Sequence, residues 1–242
     1  MVQTIKANGL SPAQLDELRQ LSTCVTASAI ETFGVRMHNA GFADSRIGCI
    51  FKEVSPIVGY AATARIRSAD PPMEKHGYFY YDRADWWNHI LTMPTPRIVV
   101  IEDLDERPGL GAFVGAVHAQ ILQALGCVAL VTNGSVRDIS EIRPTGFQLF
   151  ASNVAVSHAY AHVFDFGGKV CVGGLNIAPG DLIQGDLHGV QTIPLEIADK
   201  IPAAAREILK RRKRLMELCR SESFSVEKLQ DLMKQEEKES SV

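Results

Sequence analysis

The sequence predicts an α/β fold, in which helices alternate with the strands of a largely parallel sheet. An apolar run that ends in acidic residues, 97–103, is typical of a buried strand. Apolar residues at helical spacing follow up to Leu125, and a second apolar run begins at Cys127. A strand, a helix and a strand in this order form a crossover unit, which implies that the two strands are parallel.

The first part of the chain is predicted to be helical, over about residues 11–34. Ser11 can cap a first helix because a proline follows it in the first turn. Ser22 or Thr23 can cap a second helix, and Gly34 is expected to end it. We therefore expect two short helices before the first strand of the sheet.

The next part of the chain is predicted to contain a strand and an aromatic-rich segment. Residues 55–66 carry the β-branched and small side chains of a strand. Residues 70–90 begin with two prolines in three positions, so a loop is expected first and a helix towards the end. The aromatic side chains could form a lid, a subunit contact or part of the core. Tyr80, Tyr81 and Arg83 are the candidates for substrate contact.

The crossover helix is predicted over about residues 111–125, and Gly126 is expected to stop it. The buried strand that follows is predicted over 127–131. Asn133 and Gly134 form a turn-favouring dipeptide, so we expect the chain to turn sharply there. This turn would present the residues after it at the carboxyl end of the strand.

Arg137 and Asp138 come directly after this expected turn. Ligands of open α/β sheets bind at the carboxyl ends of the strands. Arginine offers a planar fork for a carboxylate or phosphate, and an aspartate can hold a hard divalent cation. The pair therefore suits a small anionic substrate chelated to a metal, whereas the ordinary alternative is a surface ion pair or a helix cap.

The remainder of the chain is predicted to change from strands to helices. A strand is expected at 146–151, strands and tight turns over 154–194, and a helix over 201–220 followed by a short helix and a charged tail. We interpret residues 1–200 as a single domain and residues 201–242 as a helical extension.

Composition and charge exclude several classes of protein. Charged residues make up 22% of the chain and the net charge is −3, which does not indicate a nucleic-acid partner. A basic run on a helix, 210–214, is usually a solvated face. The five cysteines lack CxxC spacing, so reduced thiols in the cytoplasm are expected. No apolar stretch reaches membrane-spanning length, and we expect no membrane partner.

Several other polar residues could contribute to a site. Glu102, Asp103 and Asp105 end the first buried strand at the same sheet edge and could supply a carboxylate, or they could be a solvated turn. Asp186 and His188 stand between glycines. They could lie at the mouth of a site, perhaps that of a neighbouring subunit, or form a polar hairpin turn.

His158 and His162 have the i, i+4 spacing that lets two imidazoles hold one metal on a helix. No acidic or cysteine residue stands close to them in the sequence. Ordinary packing is the favoured interpretation of this pair.

Two motifs resemble those of a known family. The segment NGSVRD at 133–138, with the helix and strand before it, resembles the regulator of ribonuclease activity A-like (RraA-like) family. The stretch VGGLNIAPGDLIQGDLHGVQTIP at 172–194 is similar to the family's closing PGD…D..GV…P segment. The resemblance extends over about residues 21–201. The family includes class II 4-hydroxy-4-methyl-2-oxoglutarate / 4-carboxy-4-hydroxy-2-oxoadipate aldolases and also proteins that bind a ribonuclease.

The resemblance implies a fold, an assembly and a reaction. The fold would be a compact layered one resembling the swivelling phosphohistidine domain, assembled as a trimer or a hexamer. Asp138 would ligate Mg or Mn, and Arg137 would hold the carboxylate of a pyruvate-like group together with backbone amides at Gly115, Val117 and His118. The activity would be that of a lyase on a 2-oxo acid, by retro-aldol cleavage or by oxaloacetate decarboxylation, with pyruvate as product.

One position departs from the family's aldolases, which carry an acidic residue 21 positions before the arginine. That position is Ala116 here, and a methyl group supplies neither an oxygen ligand nor a proton. His118 is about 200° further around the helix and cannot replace it. Losing such a group can reduce metal affinity or activity by about 10- to 100-fold.

This departure leaves three functional hypotheses open. The first is the metal-dependent lyase. The second is a non-catalytic interaction protein that binds a ribonuclease or another partner, with the basic run 210–214 as its contact. The third is an enzyme that keeps the metal and oxo-acid site but uses another proton donor for another reaction, such as decarboxylation or tautomerisation.

Overall fold

A mixed sheet of nine strands forms the centre of the protein, and helices occupy both ends of the chain. The computed structural model describes residues 9–53, 55–72 and 84–240. The α/β class predicted from the sequence is confirmed. Tyr80, Tyr81 and Arg83, the candidates for substrate contact, lie outside the described residues.

The N-terminal helices start where the sequence predicts. Helix α1 (Pro12–Arg19) begins after Ser11, whose hydroxyl accepts a hydrogen bond from the amide of Gln14, while the Gln14 side chain accepts one from the Ser11 amide. This reciprocal pair is a capping box, which satisfies two backbone donors of the first turn. Helix α2 (Thr23–Glu31) is capped by the hydroxyl of Ser22 alone, which accepts a hydrogen bond from the amide of Val25.

The remaining elements follow in chain order. The first half of the sheet and its helices are β1 (Gly48–Cys49), β2 (Ile57–Arg67), α3 (Ala84–Leu91), β3 (Arg97–Asp103), β4 (Ala112–Val114) and α4 (Ala116–Ala124). The second half comprises β5 (Cys127–Val136), α5 (Ile139–Ile142), β6 (Gln148–Val154), β7 (His162–Phe166), β8 (Val170–Val172), β9 (Leu175–Ile177), β10 (Leu182–Asp186) and β11 (Gly189–Ile193). The chain ends in α6 (Ile201–Arg220) and α7 (Val226–Ser240).

The strands of the main sheet are ordered β1-β6-β5-β3-β2-β10-β11, with β4 paired to β5 and β7 paired to β2. Strands β2, β3, β5 and β6 run parallel to one another, and β10 and β11 form an antiparallel hairpin. The predicted parallel pairing of the two buried strands is therefore confirmed, with Ile98 opposite Ala129. Strands β8 and β9 form a separate two-stranded sheet.

The main sheet nearly closes on itself like a barrel. Strand β1 pairs with β6 at one end of the strand order, while Phe42, a few residues before β1, forms a bridge with Gln191 of β11 at the other end. The amide of Ala43 also donates to the carbonyl of Val190. The segment before β1 thus links the two edges of the sheet.

The buried side chains form three apolar clusters on and around this sheet. Trp86 of α3 is fully buried in the first cluster, and Trp87 packs against it. Of the alternatives that the sequence left open, these two residues therefore follow the third and pack in the core. Among the described residues, no helix is both long and apolar enough to cross a membrane.

The crossover helix begins later than predicted. We expected it from Gly111, but residues 112–114 form β4, which pairs in parallel with β5, and α4 starts at Ala116. The backbone of this stretch finds hydrogen-bond partners in the sheet, and these outweigh the local helical spacing of its apolar side chains. Helix α4 therefore begins directly after β4, and its N-terminus lies at the end of that strand.

The prediction of a sharp turn at Asn133 and Gly134 was wrong. Strand β5 continues to Val136, with a shift of register against β6 between Thr132 and Ser135. A bulge of this kind leaves carbonyl groups out of the ladder. The hydroxyl of Ser152 is within hydrogen-bonding distance of the carbonyls of Asn133 and Gly134, so the bulge is stabilised without ending the strand.

The C-terminal helices pack on the rest of the chain through the start of α6. Ile201, Pro202 and Ala205 in its first turns are buried, and Ile201 and Ala205 belong to the third cluster. The charged stretch that we expected to form a tail instead continues α7 to Ser240. This part of the prediction was therefore wrong.

Candidate functional site

A cavity of about 180 Å³ opens at the carboxyl end of β5, where Arg137 and Asp138 leave the strand. Strand β4, the first turn of α4 and the loop before β7 form its other walls. Its lining residues are Ala112, Phe113, Gly115, Val117, His118, Arg137, Asp138, His158, Ala159, Tyr160 and Ala161. The lining thus includes all five candidates for substrate and metal binding, which are Arg137, Asp138, Gly115, Val117 and His118.

Arg137 and Asp138 form a loose ion pair at this cavity. The Nε atom of Arg137 lies 3.6 Å from Oδ2 of Asp138, and each side chain is 34% exposed. The separation exceeds that of a direct hydrogen bond, so the pair leaves the terminal nitrogens of the guanidinium uncommitted to Asp138. Oδ2 also accepts a hydrogen bond of 2.9 Å from the amide of Ala116.

The backbone at the cavity holds an unusual conformation twice. Asp138 has φ 55° and Ala159 has φ 46°, and these are the only non-glycine residues with positive φ among the described residues. The left-handed region costs a non-glycine residue about 1–3 kcal/mol, and such strain is concentrated at functional sites. Two strained residues on opposite walls of one cavity indicate that its shape is imposed by the surrounding fold.

Gly115 permits the close approach of the ion pair. A Cβ atom built on this residue would lie 2.4 Å from Oδ2 of Asp138 and 3.0 Å from Nε of Arg137. Both distances are shorter than a normal contact, so any side chain at this position would displace the pair. Gly115 has an ordinary negative φ, and its role at the site is therefore one of space alone.

The first turn of α4 presents backbone amides to the cavity. The amide of Ala119 donates to the carbonyl of Gly115, which is the first hydrogen bond of the helix type. The amides of Val117 and His118 precede it and so belong to the unpaired N-terminal donors of the helix. A helix N-terminus of this kind favours an anion.

The imidazole of His118 packs in the core against Phe113. Its Nδ1 atom lies 3.2 Å from the carbonyl of Phe113, and its ring meets the Phe113 ring edge-on at 4.6 Å. Burial lowers the pKa of His118 to about 4. The imidazole is therefore neutral at neutral pH, and His118 can serve an anion only through its backbone amide.

Ala116 starts α4 and packs partly against the first apolar cluster. Its amide is held by Asp138, so the position expected to carry an acid is adjacent to the candidate metal ligand. The methyl group offers that ligand no additional oxygen.

The three acidic residues at the end of β3, Glu102, Asp103 and Asp105, stabilise neighbouring loops and do not line the cavity. Asp103 is buried and accepts hydrogen bonds from the amides of Gly109 and Asp105. Burial raises its pKa, and these two hydrogen bonds only partly offset that effect. Asp105 accepts from Ser68, and Glu102 accepts from the amide of Cys171. None of the three carboxylates lines the cavity in the described chain.

Asp186 and His188 lie at the hairpin between β10 and β11, away from this cavity. Asp186 accepts hydrogen bonds from the amide and hydroxyl of Thr23 and from the amide of His188. Burial alone would raise its pKa, but the hydrogen bonds from Thr23 and His188 outweigh burial and hold the pKa below its usual value. This arrangement fixes α2 to the hairpin, which agrees with the hairpin interpretation of these residues.

His158 and His162 do not share a helix. His158 lies in the loop before β7 and His162 begins that strand, so the helical spacing that could have joined them is absent. The Nδ1 atoms of the two rings lie 2.7 Å from the carbonyls of Ala159 and Tyr160, respectively. His158 is exposed and His162 half-buried, so neither ring is packed in the core as the favoured interpretation expected.

The loop that carries His158, Ala159 and Tyr160 is the part of the cavity that sequence reasoning missed. The amide of Tyr160 donates to the carbonyl of Ser68, and the carbonyl of Ser157 accepts from Ala112. These bonds hold the loop against β4 and the end of β2. No local motif marks such a contact, because it joins segments far apart in the chain.

A divalent metal fits this cavity only as a sparse site. No cluster of three or more histidine, cysteine, aspartate or glutamate side chains suited to a metal occurs in the described parts of the chain. Asp138 is the one carboxylate among the described residues that line the cavity. Mg²⁺ commonly binds through one or two carboxylates and completes its shell with waters and substrate oxygens. The donor set fits Mg²⁺ or Mn²⁺ bound together with a chelating ligand.

Comparison with known proteins gives a consistent family. A family profile described as RraA-like, Aldolase/RraA, matches residues 23–191. A Halalkalibacterium halodurans protein, provisionally named a 4-hydroxy-4-methyl-2-oxoglutarate aldolase, is 30% identical over 84 residues, which are 34% of this chain and 40% of the relative. Protein DlpA of Legionella pneumophila is 27% identical over 51% of this chain. The match spans only 20% of DlpA's own length.

Solved structures share the fold. A protein of unassigned function from Pseudomonas syringae aligns with a TM-score of 0.69 at 21% identity and covers 91% of this chain and 94% of its own. RraAS2 of Streptomyces coelicolor, described as an unusual member of the RNase ES inhibitor RraA protein family, aligns with a TM-score of 0.66 at 17% identity. That alignment covers 86% of this chain and 98% of RraAS2. At these identities the likeness shows a common fold.

Proposed function

The chain belongs to the RraA-like family, and we propose that it is a divalent-metal-dependent lyase that acts on a small 2-oxo acid and releases pyruvate. The observation that carries this proposal is the convergence of Arg137, Asp138 and the N-terminus of α4 on one cavity. These three features supply a cation, a hard oxygen ligand and unpaired amides within a single small site. This combination suits a 2-oxo acid chelated to a metal.

Binding begins with the substrate carboxylate. Arg137 can hold it with two parallel hydrogen bonds from its guanidinium fork. The amides of Val117 and His118 add donors at the positive end of the α4 dipole. Gly115 lets these donors and the ion pair occupy the same small volume.

Asp138 is the proposed ligand for the metal. When bound, Mg²⁺ or Mn²⁺ supplies Lewis-acid stabilisation for the negative charge that develops on the 2-oxo oxygen. The hydrogen bond from Ala116 and the strained backbone of Asp138 fix the carboxylate, so little reorganisation is needed at the moment of reaction.

Proton transfer needs a group other than residue 116. Retro-aldol cleavage breaks the bond between C3 and C4, removes the proton of the C4 hydroxyl and delivers a proton to C3. Among the described lining residues, His158 is an exposed imidazole. A carbonyl can only accept, so the contact with Ala159 assigns the proton of the neutral ring to Nδ1 and leaves Nε2 as the acceptor. We assign Nε2 of His158 as the proton-transferring atom.

The direct test is pyruvate release from 4-hydroxy-4-methyl-2-oxoglutarate and from oxaloacetate, with Mg²⁺ or Mn²⁺ and with a chelator. Wild-type protein, Asp138→Ala and Arg137→Ala are compared. We expect metal-dependent release by the wild type and loss of release in both variants, because one removes the metal ligand and the other the carboxylate fork. Release equal to the free-metal background in the wild type would contradict the proposal.

A non-catalytic interaction protein is the second candidate, and Ala116 is the observation that favours it. The basic run 210–214, its expected contact, forms several ion pairs within the chain. Arg211 and Arg214 form ion pairs with the buried Glu236 of α7, and Lys210 pairs with Glu207. A pull-down that recovers no ribonuclease or associated partner would count against this candidate.

The assembly implied by the family is also proposed, as a trimer or a hexamer of this chain. Its support is membership of the family. Light scattering of the purified protein would give the mass, and a monomer would contradict the proposal.

A further inference from the structure

We propose that Ser68 and Asp105 are positioning residues, which hold His158 where its Nε2 atom can take the proton of the C4 hydroxyl. The inference rests on the proposed function and concerns two residues that lie behind the cavity wall. Neither is among the described residues that line the cavity. Both act through the loop before β7, which carries His158.

The Asp105 carboxylate fixes Ser68, the residue that follows β2. Its Oδ2 atom accepts hydrogen bonds of 2.7 Å from both the amide and the hydroxyl of Ser68, and one of 2.9 Å from the amide of Ala69. Ser68 is fully buried and Asp105 is 9% exposed. Because three donors converge on one buried oxygen, Asp105 determines the orientation of Ser68.

The hydroxyl of Ser68 also contacts the segment that leads into β4. A carboxylate only accepts hydrogen bonds, so the hydroxyl gives its proton to Asp105 and keeps its lone pairs for another donor. The amide of Gly111 donates to it at 3.2 Å. The two hydrogen bonds run in the same direction, and such chains strengthen each other.

The loop before β7 is held by a backbone hydrogen bond on each side of His158. The amide of Tyr160 donates to the carbonyl of Ser68 at 3.1 Å, and the amide of Ala112 donates to the carbonyl of Ser157 at 2.9 Å. Ser68 is therefore one of the two anchors of the loop and also contacts the segment that supplies the other.

The backbone of His158 packs closely against Gly111. A Cβ atom built on Gly111 would lie 2.4 Å from the carbonyl oxygen of His158 and 3.0 Å from Cβ of Ala159. Ala159 has φ 46°, a strained conformation that persists only where the surrounding contacts impose it. Because Nδ1 of His158 is hydrogen-bonded to the carbonyl of Ala159, this backbone determines where Nε2 lies.

Two reactions depend differently on this atom. Retro-aldol cleavage of 4-hydroxy-4-methyl-2-oxoglutarate needs a base, since the C4 hydroxyl loses its proton as the bond between C3 and C4 breaks. Decarboxylation of oxaloacetate needs no base, because CO₂ leaves from an ionised carboxylate and the electron pair stays in the enolate. Either enolate can take its C3 proton from water. A displaced His158 should therefore slow cleavage selectively.

The experiment measures kcat and KM for both substrates with Mg²⁺ in the wild type, Ser68→Ala and Thr63→Val. Thr63 is the matched control, because its buried hydroxyl on β2 donates to the carbonyl of Gly168, which does not line the cavity. We expect Ser68→Ala to lower kcat for cleavage by about 10- to 100-fold and to leave KM and decarboxylation within about threefold. Thr63→Val should leave both rates unchanged.

A double variant tests whether Ser68 acts through His158. His158→Ala should lower kcat for cleavage, and adding Ser68→Ala should cause no further loss, because the atom that Ser68 positions is already absent. Losses that multiply in the double variant would overturn the inference. An unchanged rate of cleavage in His158→Ala would overturn it as well.

Two further positions make the test independent of the stability of Ser68→Ala. Asp105→Asn keeps an acceptor oxygen and should retain cleavage, whereas Asp105→Ala should lose it selectively. Gly111→Ala leaves the Ser68 and Asp105 side chains in place, but its Cβ would displace the carbonyl of His158. We expect the same selective loss from it as from Ser68→Ala.

The outcomes separate the inference from the function on which it rests. Unchanged cleavage in Ser68→Ala and Gly111→Ala, or equal losses of cleavage and decarboxylation, would overturn the inference and leave the lyase in place. Decarboxylation without cleavage in the wild type would overturn the inference and leave a 2-oxo acid site. No metal-dependent release from either substrate in the wild type would overturn the proposed function and the inference with it.

Discussion

Asp138 and Asp186 are both aspartates beside a basic residue, yet the two regions of the molecule use them differently. Asp186 has a side chain that is 4% exposed, and it accepts hydrogen bonds from Thr23 and His188. Asp138 has a side chain that is 34% exposed, and it sits on a strained backbone with one backbone donor and a loose contact to Arg137. One carboxylate is saturated by the fold, and the other keeps capacity for a ligand.

This difference teaches how to assign a role to an acid near a strand end. A carboxylate whose oxygens are all committed to neighbouring segments stabilises the fold, because removing it leaves several donors unpaired. A carboxylate with free oxygen atoms on a strained backbone lowers the stability of the fold. Such a residue indicates a ligand-binding role, because backbone strain is concentrated at functional sites. The predictions below test this contrast, beginning with the largest expected effect.

Asp186→Ala should destabilise the protein far more than Asp138→Ala. The first change leaves the buried donors of Thr23 without their acceptor, which we expect to lower the free energy of unfolding by about 2–4 kcal/mol. The second should cost less than about 1 kcal/mol, since it removes a half-exposed group. Urea unfolding followed by tryptophan fluorescence measures both. Equal losses in the two variants would remove the basis of the comparison.

His118 should make the fold sensitive to acid from within the candidate site. Burial lowers its pKa in the folded protein from the ordinary histidine value of about 6.5 to about 4. The unfolded chain therefore takes up the proton first, and stability is lost as the pH falls from about 6.5 to about 4. The full shift corresponds to about 3 kcal/mol.

The measurement for this prediction is the free energy of unfolding between pH 7 and pH 4.5, in the wild type and in His118→Met. The variant lacks the imidazole, so its stability should depend less steeply on pH, whatever its absolute value. An identical pH dependence in both proteins would show that His118 is already accessible to protons in the folded state.

Gly115→Ala should damage the cavity without damaging the fold. The new Cβ would meet Oδ2 of Asp138 and Nε of Arg137, both of which are ends of side chains that can move away. We expect pyruvate binding in the presence of Mg²⁺ to weaken by about 10- to 100-fold, equivalent to about 1.4–2.8 kcal/mol. Gly168→Ala is the matched control, because its Cβ would meet nothing within 4 Å. Equal binding by both variants would contradict the proposed geometry.

Asp138→Gly should give the smallest and most unusual effect on stability. Glycine adopts the left-handed conformation without strain, so we expect the free energy of unfolding to stay level or to rise by up to about 1 kcal/mol. Pyruvate release should be lost together with the carboxylate. A clear loss of stability would show that Asp138 supports the fold, as Asp186 does.

The sequence allowed much of the fold to be predicted, because its signals are local. The serine caps at Ser11 and Ser22 and the apolar run of β3 each lie within a few residues, and all three are found as predicted. Membership of the family was also recognisable, since the motif at 133–138 and most of the stretch 172–194 lie within the matched range 23–191.

The errors arose where distant segments decide the local structure. Residues 112–114 form a strand because β5 offers them backbone partners, and the bulge at Asn133 and Gly134 is held by Ser152 of β6. A pattern of apolar spacing or a turn-favouring dipeptide contains neither partner. Both segments therefore followed long-range hydrogen bonding rather than their own propensity.

The candidate site shows the same division. Arg137 and Asp138 are adjacent in the chain, so their pairing could be predicted, and the amides of α4 were placed near them by family resemblance. The opposite wall is formed by His158, Ala159 and Tyr160, about twenty residues further along. Nothing in that loop's composition signals the positive φ of Ala159, which its contacts with β4 impose.

The most direct test of the account is the rate of pyruvate release from oxaloacetate, measured side by side for the wild type, Asp138→Ala and His188→Ala in Mn²⁺ buffer. His188 is the half-exposed residue beside Asp186 and serves as the control for the hairpin region. The account predicts that His188→Ala keeps the wild-type rate and that Asp138→Ala falls to the free-metal background. Loss of activity in His188→Ala with retention in Asp138→Ala would contradict the assignment of the site to the carboxyl end of β5.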